Sequence, residues 1–436
     1  MSDIAKKSVE TFAIRLGAQA TALIGSIVIA RTLGPAGKGL FTYAVSALAL
    51  LVVANGQSAA IAWQYTKRHR APATLLRVMM QLLVLGTVPL TIGLMLVGLL
   101  VPGQRALVCV AAVAPFAVFL QSSTGFFLAD ADTRTVNWQQ IVYETLPVLV
   151  YIPLLLVFAQ VGTWVLLTVW GSGYIAATWF TARRLREYAR RKDGDDTGSL
   201  IREQLAYSAQ ISLANIAMFL NMRVDAFVIM FVLGQSALGI YSIGLAIGEI
   251  LWQLSRPIVS ASFGKIARGS AADSAQTTAT CVRHALALAL AGSTIVFVTA
   301  PFLVPAIYGR AFAPAVAVTQ LLLPGVIAYS GMGALSTFFS QQLSEPRLPL
   351  IFRLLSAVIC AGVMFVALPR FGIRGGAIGT SISYVLTFGL AAAQFCRRTG
   401  IPPQRLLVFG RSDVHPYRAT LSRVLAVVSR RPPKPA

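Results

Sequence analysis

Apolar residues run along this chain in blocks of about twenty, the length a helix needs to cross the hydrocarbon of a bilayer. Short polar segments separate them. Twelve blocks are expected to be membrane helices: 11–30, 39–62, 73–101, 106–129, 138–160, 163–181, 206–233, 239–262, 281–303, 313–340, 351–369 and 375–396. An even number of crossings returns both ends to one side. The first two blocks are joined by Leu33-Gly34-Pro35-Ala36-Gly37-Lys38-Gly39-Leu40-Phe41, and 200 positions later Leu233-Gly234-Gln235-Ser236-Ala237-Leu238-Gly239-Ile240-Tyr241 joins the seventh and eighth. Both copies read Leu-Gly, four residues, Gly, a branched aliphatic and an aromatic. The recurrence predicts a duplicated architecture, with chance repetition of common residues as the competing explanation. Gly34 and Gly234 are expected to end a helix with positive φ, and Gly39 and Gly239 to permit close backbone approach.

Composition supports a membrane chain. Of the 436 residues, 56% are hydrophobic and 12% charged, the latter about half the usual share for a soluble domain. The formal net charge of +22 would suggest nucleic acid in a soluble protein. Its distribution argues otherwise, because the charges sit in the short segments between apolar blocks. Alternate segments divide them unevenly: 25 basic residues fall on one face and six on the other, namely Arg31, Lys38, Arg105, Arg310, Arg370 and Arg374. Basic residues favour the cytoplasmic side, so both termini are expected there. Lys6 and Lys7 ahead of an apolar stretch resemble a signal peptide, but the run to Ala30 is long and reads as an uncleaved first helix.

These patterns predict an all-α integral membrane protein of two parallel six-helix repeats around a central cavity. The expected parts are an N-terminal bundle (1–181), a basic cytoplasmic linker (182–205), a C-terminal bundle (206–396) and a basic cytoplasmic tail (397–436). Asp193–Ser199 reads as a flexible loop. The tail reads equally as an interfacial helix or a disordered segment.

No catalytic constellation, P-loop or metal-ligand spacing is present. The four cysteines lie in or beside apolar blocks and read as small buried hydrophobes. Chemistry is therefore sought in charges within the blocks: Arg15, Arg77, Arg223, Arg256, Arg283 and Arg353, with Glu144, Asp225 and Glu249. A charge at helix centre costs roughly 2.5–3.5 kcal/mol on insertion scales, so it faces a partner or a wet cavity. Arg77 and Arg283, near block ends, are expected to snorkel to the headgroups. The excess of positive charge would attract an anionic headgroup, and Arg suits phosphate oxygens.

Three pieces carry a family resemblance: the repeated turn at 33–41 and 233–241, Tyr308-Gly309-Arg310-Ala311-Phe312, and Phe371-Gly372-Ile373-Arg374-Gly375-Gly376-Ala377. Arg223 followed by Asp225 fits the same pattern. Over residues 10–396 the chain resembles the multidrug/oligosaccharidyl-lipid/polysaccharide exporter (MOP) superfamily, and within it the Wzx-type polysaccharide flippases. The resemblance implies transport of an undecaprenyl-diphosphate-linked oligosaccharide from the inner to the outer leaflet of the bacterial plasma membrane. It implies alternating access around a cationic cavity, for which Arg15, Arg223, Arg256 and Arg353 are the candidate substrate ligands. It implies no cofactor, and membrane lipids, glycosyltransferases and a polysaccharide polymerase as partners. Many relatives have fourteen helices, and the tail is too polar to supply two more, which counts against a close likeness to the peptidoglycan lipid II flippases.

Two other functions compete. A cation-coupled multidrug exporter of the same superfamily needs buried carboxylates, for which Glu144, Asp225 and Glu249 are the candidates. A membrane polysaccharide polymerase or ligase needs a substantial outer loop, and these are short.

Overall fold

The computed structural model describes residues 3–158, 161–190 and 197–410. Every element among them is helical: α1 (Asp3–Val53), α2 (Gln57–Lys67), α3 (Pro72–Leu100), α4 (Ala106–Ala129), α5 (Thr133–Val157), α6 (Thr163–Ala189), α7 (Thr197–Leu233), α8 (Gln235–Gln253), α9 (Arg256–Arg268), α10 (Ala271–Tyr308), α11 (Ala315–Thr337), α12 (Arg347–Phe371), α13 (Ile373–Thr399) and α14 (Pro403–Leu407). Ten stretches among the described residues are long and apolar enough to cross a membrane. The first, Ala20–Lys67, covers the first two expected helices, while α5 is not among the ten. Large apolar side chains stand exposed along α3, α10 and α12, including Leu85, Phe302 and Val358. Lipid can cover such surface where water cannot.

Two compact units emerge from the packing. The first runs to Ile243 and takes in Phe302–Val316 and Met364–Gly376; the second holds Gly244–Pro301, Ala317–Val363 and the chain from Ala377 onward. In the first, Ile61, Leu75, Met79, Phe126, Phe127, Leu185 and Leu200 form a buried core. In the second, Phe338, Phe339, Phe352, Phe388 and Phe395 do the same around Ala279 and Leu335.

The repeated turn is more compact than expected. The chain remains helical through 33–41 except at Gly34, whose φ of 63° and ψ of −170° fall in a region open almost only to glycine. Gly234, with φ of 82°, likewise separates α7 from α8. The second glycines make the close approach, and they make it to each other's turn. A Cβ on Gly39 would lie 1.7 Å from the carbonyl oxygen of Gln235, and one on Gly239 would lie 1.9 Å from that of Pro35. The partners are thus related by the same 200-residue offset as the glycines. A second correspondence follows at the far end of the next helix. The ladder breaks between Val53 and Gln57 in the first copy and between Gln253 and Arg256 in the second.

Asp225 joins this arrangement. It is buried, and its Oδ2 accepts a 2.6 Å hydrogen bond from the hydroxyl of Tyr241, the aromatic that closes the second copy of the turn. Its Oδ1 accepts from the backbone N–H of Ala226 at 2.8 Å. The carboxylate therefore ties α7 to α8.

Several expectations change. Lys38, counted with a loop, is buried within α1, and its Nζ donates to Ser26 Oγ at 2.9 Å. Pro35 supplies the physical reason: a proline can start a helix, so the helix resumes directly after Gly34 and carries Lys38 inward. Arg283 does not snorkel. It is buried, donates to the backbone carbonyl of Arg405, and reaches Thr280 Oγ1 at 3.2 Å. The start of the expected tail folds back to supply that carbonyl, which stands in for a headgroup. The expected linker is largely helical, since α6 continues to Ala189 and α7 starts at Thr197. The centre of the expected loop (193–196) and the tail from 411 lie outside the described residues. All four cysteines are free thiols, with Cys281 and Cys360 buried.

Gly39→Ala and Gly239→Ala are each expected to lower stability by about 1–3 kcal/mol through overpacking, read as a lower unfolding midpoint in detergent. Gly86→Ala, with nothing within 4 Å of the added carbon, is expected to raise it by about 0.5–1 kcal/mol. Tyr241→Phe is expected to cost about 1.5–3 kcal/mol, because it removes a donor from a buried carboxylate; an unchanged midpoint would remove Asp225 from this structural role.

Candidate functional site

In the first unit, α1, α5 and α6 enclose a cavity of about 310 Å³. The bend at Gly34 returns α1 past itself, so that Ser26 before the bend meets Lys38 after it. Pro147 of α5 seats on Gly173 of α6, where a Cβ would lie 2.6 Å from the proline ring. This contact brings Tyr143 and Tyr174 into a stack with centroids 5.1 Å apart and planes 15° apart. Trp170 meets Tyr174 edge-on at 5.5 Å, and Phe41 meets Trp170 at 6.0 Å. Lys38 and Glu144 face the cavity among these rings. Glu144 Oε1 accepts from Gln140 Nε2 at 3.1 Å, the i, i+4 neighbour on the same helix face.

Arg223, half-buried on α7, lies within electrostatic reach of Lys38. Two cations brought that close in a low-dielectric interior repel each other, and an anion between them would relieve the repulsion. Arg15 lies on α1, but its side chain is outside those described.

The second unit holds a separate cluster. Tyr329 of α11 stacks on Tyr384 of α13 at 4.5 Å and meets Trp252 of α8 edge-on at 5.5 Å. The guanidinium of Arg256 lies 5.6 Å from the centroid of the Trp252 ring, within the range of a cation–π contact. Arg353 of α12, Arg256 of α9 and Glu249 of α8 all act electrostatically on Tyr329. Two of the four predicted ligand arginines are therefore gathered around one aromatic group, together with one predicted carboxylate. The planar N–H fork of a guanidinium matches phosphate or carboxylate oxygens.

Sequence reasoning missed Lys38 and the aromatic rings beside it. The available signal was spacing: Trp170 and Tyr174 are four apart on α6, Tyr143 and Pro147 four apart on α5, and Lys38 and Phe41 three apart on α1. Each pair shares a helix face. Nothing in the spacing indicated that the three faces meet.

A family model described as polysaccharide biosynthesis protein matches residues 4–270. No curated protein matches the chain. Among solved structures, the chain is similar to an inward-facing multidrug resistance MATE family transporter of the MOP superfamily. That match has 15% identity and a TM-score of 0.68, over 89% of this chain and 98% of the other. The outward-facing form of such a transporter matches at 16% identity and a TM-score of 0.61, over 89% and 94%. Lipid II flippase MurJ in an inward closed conformation matches at 10% identity and a TM-score of 0.65, over 98% and 94%. At such identities the likeness is one of fold. With the family match covering more than half of its length and a fold shared with MOP-superfamily transporters, this multi-pass membrane chain belongs to the polysaccharide biosynthesis protein family.

Proposed function

We propose that the chain is a flippase carrying an undecaprenyl-diphosphate-linked oligosaccharide from the inner to the outer leaflet of the bacterial plasma membrane, by alternating access. The observation that carries this reading is the gathering of cationic side chains at two places: Arg256 and Arg353 about the aromatic Tyr329, and Arg223 beside Lys38. Those groups suit the diphosphate, the most strongly charged part of such a substrate. Arg15 is assigned the same role. Membership of a polysaccharide biosynthesis family supports a glycan cargo. Likeness in fold to a protein named as a lipid II flippase supports a lipid-linked one.

The same reading takes the two arms of α1 as separate crossings and counts α5 with them. It then has twelve crossings in two parallel six-helix bundles, 1–181 and 206–396, with both termini in the cytoplasm. The uneven spread of basic residues supports that orientation. On it, the contact of Gly39 with the turn at Gly239 closes the outer side. Arg31 reinforces the closure by donating to the carbonyls of Ala306 and, at 2.7 Å, Ile307 at the end of α10. Release to the outer leaflet requires these contacts to part. Glu144 and Glu249 are the carboxylates placed to couple an ion; Asp225 is engaged by Tyr241. Glycosyltransferases and a polysaccharide polymerase are the partners such a substrate calls for.

The test is a flipping assay in proteoliposomes loaded with the lipid-linked oligosaccharide. The pairs Arg15→Ala with Arg223→Ala, and Arg256→Ala with Arg353→Ala, are each expected to slow translocation at least about ten-fold, the loss of one charge-assisted hydrogen bond. Full activity in both pairs would sink the cationic mechanism. Drug-resistance profiles with and without the gene separate this function from multidrug export, which predicts sensitisation to organic cations on deletion.

A further inference from the structure

The cavity between α1, α5 and α6 carries one cation and one carboxylate, where the cluster about Tyr329 has two arginines to one glutamate. Its two charged lining residues, Lys38 and Glu144, are of opposite sign. A diphosphate entering it would meet a carboxylate, and an organic cation would meet an ammonium. A cation already sits over one of its rings, because Lys38 Nζ lies 6.0 Å from the centroid of the Phe41 ring. What the cavity favours is a neutral ligand that both donates and accepts hydrogen bonds.

The rings narrow the class further. Phe41 and Trp170 are inclined at 74°, and Trp170 and Tyr174 at 77°. With the stacked pair Tyr143 and Tyr174, they set ring planes in more than one direction along the cavity lining. The faces of aromatic rings are electronegative. They suit the C–H face of a saturated ring whose carbons bear oxygen, and that ring's hydroxyls can bond to the ammonium and the carboxylate. The volume of about 310 Å³ is at the small end of ligand sites, which span about 300–1,000 Å³. It has room for a sugar unit but not for a whole oligosaccharide on its lipid.

We propose that this cavity is a subsite for one uncharged pyranose unit, a hexose or N-acetylhexosamine, of the transported glycan. The proposal rests on the flippase reading for its biological sense, but its chemistry uses the aromatic rings and Glu144 with Lys38, and not the cluster of Arg256 and Arg353. It divides recognition in two, with cations for the diphosphate and an aromatic, charge-balanced cavity for sugar identity.

The test uses the full chain in detergent, titrated with glucose, galactose, N-acetylglucosamine and N-acetylgalactosamine while tryptophan emission is followed. A saturable change with at least one sugar is expected, and it should vanish in Trp170→Phe. Affinity should fall about ten-fold in Glu144→Gln and in Lys38→Met, each of which removes a charge at nearly constant volume. Tyr174→Leu, which removes a ring and no charge, should weaken binding as well, so one poorly folding variant does not decide the matter. No saturable change with any of the four sugars overturns the proposal. So does unchanged affinity in the monodisperse variants, or a saturable response to tetraphenylphosphonium in place of the sugars. The two readings fail separately. Sugar binding without flipping of the lipid-linked oligosaccharide removes the transport function and keeps the subsite. Flipping that persists in wild type without sugar binding removes the subsite and keeps the transport function.

Discussion

The contact of Gly39 with the turn at Gly239 is the constraint on which the first unit depends. Backbone meets backbone there at a separation that no side chain could share. Once the two turns are seated, the helices leaving them have fixed directions, and the rest follows by ordinary packing. Gly34 sends α1 back on itself and sets Lys38 against Ser26. Tyr241, two residues past Gly239, reaches the buried carboxylate of Asp225. A membrane interior gives little hydrophobic reward for helix association, so close approach and satisfied polar groups have to hold the helices together.

The two cationic clusters follow a common rule. Each sets cationic side chains against aromatic rings and adds one glutamate: Glu144 near Lys38, Glu249 near Arg256 and Arg353. Lys38 is buried, whereas Arg353 is half-buried and Arg256 exposed, and a cation taken out of water is costly unless something answers its charge. The rings and carboxylates do so in part: Glu144 shares a cavity with Lys38, and Glu249 acts with Arg256 and Arg353 on Tyr329. Asp225 resembles the two glutamates in sequence and differs from them in structure, since its oxygens are committed to Tyr241 and to the backbone.

Much of this architecture is legible in the amino-acid sequence. The apolar blocks mark the long helices, because length and composition alone decide what a bilayer accepts. The glycines of the repeated turn are legible because positive φ and close approach leave few residue choices. Three things are not. Lys38 reads as a loop charge, since Gly34 and Pro35 both mark a break, although a proline can also start a helix. Arg283 reads as a headgroup seeker, since its partner is a backbone carbonyl more than a hundred residues away, and carbonyls have no sequence signature. The cavity is illegible because its wall comes from three helices, and helix periodicity reports a face without naming its neighbour.

The interrupted helices near residues 54 and 254 have a mechanical meaning. A continuous helix is stiff because bending it stretches the hydrogen bonds along one side. At Asn55 and Gly56 that ladder is already open, and side chains have taken over its work. Asn55 Nδ2 donates to Ser122 Oγ at 2.7 Å, and the N–H of Gly56 donates to Ser212 Oγ at 3.0 Å. In the second copy Ser255 closes on Trp252 instead, its hydroxyl donating to that carbonyl at 2.6 Å. The first two tie the open turn to α4 and α7, and the third stays within its own turn. The chain therefore interrupts its helical ladder at two matching places, where a bend stretches fewer backbone hydrogen bonds than it would in an unbroken helix.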